Sequence, residues 1–84
     1  MEREREFEKV KEVLKKNIRK ARYGIYFTRN IVGDSMANLL TGKTFKVDIC
    51  RYWGYYEVFG CTDEEEKELK KYYKQIRNDE EDKR

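Results

Sequence analysis

The sequence predicts a small α+β domain. An N-terminal and a C-terminal helix flank an antiparallel sheet of about three strands with a β-hairpin at its centre, in the order α-β-β-β-α. Three observations carry this. Residues 44–60, TFKVDICRYWGYYEVFG, alternate apolar and polar side chains on either side of Gly54. Residues 2–21 set Phe7, Val10, Leu14, Ile18 and Ala21 at spacings of three and four. Residues 61–78 set Leu69, Tyr72, Tyr73 and Ile76 behind the capping sequence Thr62-Asp63-Glu64-Glu65.

Composition supports one folded domain over 1–84. A chain of 84 residues has a thin core, because it buries only about 60% of the surface it exposes when unfolded. Apolar residues make up 38% and charged residues 44%, a balance that leans toward disorder. Seven Tyr, four Phe and one Trp, clustered and periodic, argue the other way. The net charge of +3 says little about partners, since clustering matters more than the sum. The N-terminus alternates Glu and Arg without an apolar run. No stretch approaches the ~20 apolar residues of a membrane span, so the expected location is cytoplasmic, with no membrane partner.

The first helix spans 2–21 in this reading, with Val13 beside its apolar stripe. Acids dominate its start, and from Val13 to Gly33 there is none. That order complements the helix dipole. Residues 22–30 read as a strand, with Tyr23, Ile25 and Phe27 toward the core and Gly24, Tyr26 and Thr28 away from it. Residues 30–43 admit two readings. One is a helical turn capped by Asp34 or Ser35 that holds Met36, Leu39 and Leu40; the other is a short strand.

In the hairpin, a turn centred on residues 53 and 54 sets Ile49 opposite Val58 and Arg51 opposite Tyr56. Loops of two or four residues keep that register, and an odd loop would flip one strand. One face then carries Phe45, Val47, Ile49, Tyr56 and Val58 and needs a cover. The other carries Lys46, Asp48, Cys50, Tyr52, Tyr55, Glu57 and Phe59. Charge on the second face favours both helices packing on the first. In the second helix, Asp63, Glu64, Glu65, Glu66 and Glu68 precede Lys70, Lys71, Lys74 and Arg77, again with the dipole. The charged tail, 79–84, has no apolar residue and is expected to fray.

Cys50 and Cys61 fall about 13 Å apart at ~3.4 Å per residue, beyond the ~7 Å a disulfide allows. Two reduced thiols are expected. Two cysteines without histidine also fall short of a structural zinc set, so no metal and no cofactor is expected.

Three clusters are candidate sites. Lys15, Lys16, Arg19, Lys20, Arg22 and Arg29 form a basic patch, with Lys15, Arg19 and Arg22 neighbours on a helix surface. It reads either as a contact for phosphates or an acidic protein, or as a solvated helix end. The outer aromatics Tyr52, Trp53, Tyr55 and Phe59 read as a protein-interface hot spot, as packed core, or as stacking rings for single-stranded nucleic acid. Asp48 and Glu57, diagonal on the outer face, read as two solvated strand residues near Lys46; as a catalytic pair they lack any pocket, histidine, phosphate loop or nucleophile elbow. No catalytic residue is assigned, and a non-enzyme is expected.

Over roughly residues 23–76, the segments GDSMANLLTGK and FKVDICRYWGYYEVFGCTDEE resemble short accessory proteins of bacteriophages and other mobile elements. The resemblance rests on the aromatic hairpin, the VFG-x-Thr-Asp-Glu-Glu junction and a charged helix ending in Tyr-Tyr. That group includes anti-CRISPR and other host-defence inhibitors. The resemblance implies a stoichiometric binder that occupies a site on a host nuclease or nucleoprotein defence complex, and it transfers no functional residue. The alternatives are a nucleic-acid-binding protein using the basic patch, and a structural module that forms a homodimer.

Overall fold

The computed structural model describes residues 2–27, 36–52 and 54–82. Its elements are α1 (Glu2–Lys16), β1 (Gly24–Tyr26), β2 (Met36–Thr41), β3 (Lys46–Cys50), β4 (Tyr55–Phe59) and α2 (Asp63–Asp82). The strands form one sheet in the order β1-β4-β3-β2. β2, β3 and β4 are antiparallel neighbours, whereas β1 runs parallel to β4.

The expected antiparallel sheet of about three strands is thus a mixed sheet of four. Segment 30–43 supplies the fourth strand. Met36, Leu39 and Leu40 lie in β2 and not on a helical turn; Asp34 and Ser35 lie outside the described residues. β2 carries an irregularity between Asn38 and Leu40, where one extra residue faces the partner strand. Order in the chain permits the parallel pairing of β1: β2 and β3 intervene, leaving the long crossover that a parallel pair requires.

The hairpin register is shifted by two from the expected one. Ile49 pairs with Tyr56, Val47 with Val58 and Cys50 with Tyr55, which leaves a four-residue loop at 51–54. A shift of two preserves the faces. Phe45, Val47, Ile49, Tyr56 and Val58 are all buried, in one cluster with Phe7, Val10 and Leu14 of α1 and Leu69 and Ile76 of α2. Both helices therefore pack on this one face. The Tyr56 hydroxyl donates to the Leu14 carbonyl at 2.6 Å, and the Tyr73 hydroxyl donates to the Ala21 carbonyl at 2.6 Å. Tyr56 satisfies a carbonyl in the last turn of α1 that the helix itself leaves without a partner, and Tyr73 satisfies one in the turn that follows.

α1 is shorter than expected and α2 longer. After Lys16 the chain turns. The Asn17 side chain donates to the Val13 carbonyl at 2.9 Å, competing with the helical ladder. Lys20 and Ala21 then bond back three residues, to Asn17 and Ile18, which is the tighter 3₁₀ pattern. Ile18 and Ala21 stay buried beyond the helix.

α2 starts at the expected box: the Thr62 amide donates to Glu65 at 2.8 Å and the Glu65 amide to the Thr62 hydroxyl at 3.2 Å. It continues to Asp82, so most of the charged tail 79–84, expected to fray, is helical. Acids at a helix C-terminus oppose the dipole. Here Arg19 on Glu80 at 2.6 Å and Arg77 on Glu81 at 3.6 Å supply the compensating cations.

Candidate partner-binding surface

The 51–54 loop is closed by the Gly54 amide, which donates to the Cys50 carbonyl at 2.8 Å. The Gly54 carbonyl accepts from the Tyr23 amide at 2.7 Å. Gly54 has φ +73°, and a Cβ there would sit 2.7 Å from the Lys20 carbonyl oxygen. Only glycine allows both the left-handed backbone and this approach. The hairpin tip is therefore held against the turn that follows α1.

This contact joins two features far apart in sequence. Lys20, Arg22 and Arg51 are exposed around it. Tyr52 is 78% exposed and Tyr23 65%. The rings of Tyr23, Tyr26 and Tyr55 form a cluster: Tyr26 meets Tyr55 edge-on at 5.1 Å between centroids, and Tyr23 lies 6.2 Å from Tyr55 and 6.3 Å from Tyr26. No acid occurs from Val13 to Gly33 or from Ile49 to Tyr56. The result is a cationic surface bearing tyrosines. Beside it, Met36, Ala37, Arg51 and Tyr52 line a groove of about 400 Å³.

The candidate residues divide accordingly. Lys15, Lys16, Arg19, Lys20 and Arg22 are exposed, but they do not form one helix face. α1 ends at Lys16, so Arg22 follows a turn and lies by the tip, and Arg19 is drawn to Glu80. Arg29 and Trp53 lie outside the described residues. Tyr52 and Tyr55 belong to the tip. Phe59 stands at the far end of β4, roughly 14 Å from Tyr55 at ~3.4 Å per residue, with the Lys46 ammonium 5.6 Å from its ring centroid. Tyr23, Tyr26 and Arg51 were not among the expected contact residues. Alternation sends Tyr23 inward with Ile25, yet Tyr23 precedes β1 in a bend, where that period does not apply.

Asp48 and Glu57 depart furthest from expectation. They are direct partners across β3 and β4, not diagonal neighbours. They are also buried, 7% and 1% exposed, and not solvated. Asp48 Oδ1 accepts from Asn38 Nδ2 at 2.9 Å, and its Oδ2 lies 3.6 Å from Lys46 Nζ. Glu57 Oε1 is buried without a hydrogen bond. Burial pushes the Glu57 carboxyl above its ordinary range and the Asp48 carboxylate adds to this, while the Tyr55 hydroxyl and Lys46 pull it back.

Elsewhere, a groove of about 610 Å³ lies along the start of α1, lined by Arg3, Glu4, Arg5, Phe7, Glu8 and Glu65. Its Arg3 is held by Glu65, with Nε to Oε2 at 3.1 Å, and acids alternate with bases there, so it presents no single-signed field. Among the described residues no group of three or more His, Cys, Asp or Glu is placed to hold a metal ion, and no helix is long and apolar enough to cross a membrane. No disulfide joins Cys50 and Cys61.

Fold and surface together define an α+β chain with two helices on one sheet face and a cationic, tyrosine-bearing hairpin tip. Compared with protein-family models, with curated proteins and with solved structures, the chain matches none.

Proposed function

We propose that this chain is a non-enzymatic binding protein whose contact surface is the hairpin tip together with the turn after α1. The observation that carries this is the Tyr23–Gly54 hydrogen bond, which joins an acid-free basic stretch to the exposed Tyr52. Tyr and Arg are the residues enriched at the energetic centres of protein interfaces. Lys20, Arg22 and Arg51 around the rings fit an acidic patch on the partner and would speed the encounter. The resemblance of residues 23–76 to phage and mobile-element accessory proteins supplies the target class: a host protein that attacks nucleic acid, inhibited by steric occupation in the cytoplasm.

The test is phage plating on bacteria that carry a nuclease-based defence system, with and without this protein. Wild-type protein is expected to restore plaques. The variant Tyr52→Ala with Arg51→Glu is expected to fold, by circular dichroism, and to lose the effect. Equal activity of that variant removes the tip from the interface. Failure of the wild type across a panel of such systems removes the inhibitor reading.

A second reading rests on the ring cluster itself. Tyr23, Tyr26 and Tyr55 beside the exposed Lys20, Arg22 and Arg51 are the components of a single-strand binder, in which bases stack on rings and cations meet the backbone. It predicts oligonucleotide affinity that falls with salt, by ~0.7 log units per log unit of salt for each phosphate neutralised on a single strand. A flat salt response excludes it.

A further inference from the structure

Asp48 and Glu57 stand side by side on one sheet face, as cross-strand partners whose Cβ atoms lie about 4.5–5.5 Å apart. Asp48 is compensated at both oxygens, by Asn38 and by Lys46. Glu57 is compensated less: it is 1% exposed, its Oε1 makes no hydrogen bond, and the Tyr55 hydroxyl and the shared Lys46 only partly offset its burial. Two like charges side by side at a buried site favour protonation of one of them, since each desolvated carboxylate needs a counter-charge or donors. The groups that face Glu57 are few among the described residues. β3 presents Asp48, Lys46 and Cys50, β4 presents Tyr55, and β1 presents Tyr26 as the direct partner of Glu57. Lys46 is the only cation among them, and it is half exposed and already on Asp48.

We infer that Asp48 and Glu57 hold one proton between them, carried on Glu57, at pH values where an ordinary carboxyl has already lost its own, and that losing it loosens the hairpin beside the tip. The proton keeps the hairpin's middle pair at a single negative charge, the one that Asn38 and Lys46 meet. Its release puts an anion next to Tyr26 and Tyr55, two members of the ring cluster, and two residues from the Cys50–Tyr55 pair that closes the loop. The sign follows from linkage. Glu57 titrates higher in the folded chain than unfolded. The stability it contributes is full below the unfolded value of ~4.3 and is lost as pH rises through the folded value. Glu6 and Glu65 are both held low, so they act at the acid end and leave the rise toward neutrality to Glu57.

The experiment combines a ¹³C-detected NMR titration of side-chain carboxyls in the wild type with thermal melts of wild type, Glu57→Gln and Asp48→Asn from about pH 4.5 to about 8.5. The Glu57 carboxyl is expected to titrate above the ordinary ~4.3 and to move down in Asp48→Asn. The wild-type melting temperature is expected to fall with rising pH. Glu57→Gln, a neutral mimic of the protonated acid, is expected to be flat over that range and to exceed wild type at its upper end. A Glu57 midpoint at or below ~4.3 overturns the inference, and so does a Glu57→Gln protein with the wild-type slope. The titration decides the matter even where a variant does not fold.

Discussion

The Tyr23 amide donates to the Gly54 carbonyl across 2.7 Å, and through it the turn after α1 meets the tip of a hairpin 31 residues further on. The same glycine donates to Cys50 within its own loop. One residue thus closes the loop and docks it.

Gly54→Ala tests that docking. A left-handed backbone costs a residue with a Cβ about 1–2 kcal/mol, and the Lys20 carbonyl 2.7 Å from the added carbon raises the cost. The expected loss is about 2 kcal/mol, or on the order of 10 °C in melting temperature for a domain of this size. Partner binding is expected to weaken with it. A melting curve that overlays the wild type would show that the tip is not held in this way.

Tyr56→Phe removes a buried hydroxyl from the Leu14 carbonyl and leaves that acceptor without its donor. The expected cost is about 1–3 kcal/mol in urea denaturation, a large share of the stability available to a small domain.

In acid, Glu6 is the residue to follow. Its Oε1 accepts from the Thr44 and Phe45 amides at 2.9 and 2.7 Å, tying α1 to the start of β3. The Phe45 amide chiefly, against some desolvation, holds the carboxylate below its ordinary range. A lowered value stabilises the fold above the unfolded pKa and stops doing so as pH falls through the folded one. Glu6→Gln is therefore expected to be less stable than wild type at neutral pH, with the gap closing below about pH 4. A gap that persists unchanged at low pH would assign the loss to packing.

Cys61 is expected to be a poor nucleophile. Burial, aided by Glu65 and Glu66, pushes its thiol up to about 12, and the thiolate is the reactive form. Iodoacetamide at pH 8 is expected to label Cys61 slowly in the native protein and rapidly in urea, by mass spectrometry. Fast native labelling would contradict its burial.

Part of this architecture was legible in the chain. The inward set Phe45, Val47, Ile49, Tyr56 and Val58, the stripes of both helices and the Thr62–Glu65 box all follow from local spacing. Side-chain direction repeats every two residues in a strand and every 3.6 in a helix, and a cap needs only its own four residues. The hairpin's faces even survived a mistaken register, because a slide of two residues changes partners without changing sides.

What those periods cannot carry is which backbone meets which. The parallel pairing of β1 with β4 and the outward ring of Tyr23 depend on hydrogen bonds between residues distant in the chain. So does the meeting of the tip with the basic turn. The same register change that left the faces intact brought Asp48 directly opposite Glu57, and the tertiary structure buried both. Sequence alone determined the two helices, the hairpin and their inward sides, since these are properties of a few consecutive residues. Tertiary structure decided the candidate surface and the carboxyl pair, since contact and burial are properties of the whole assembled chain.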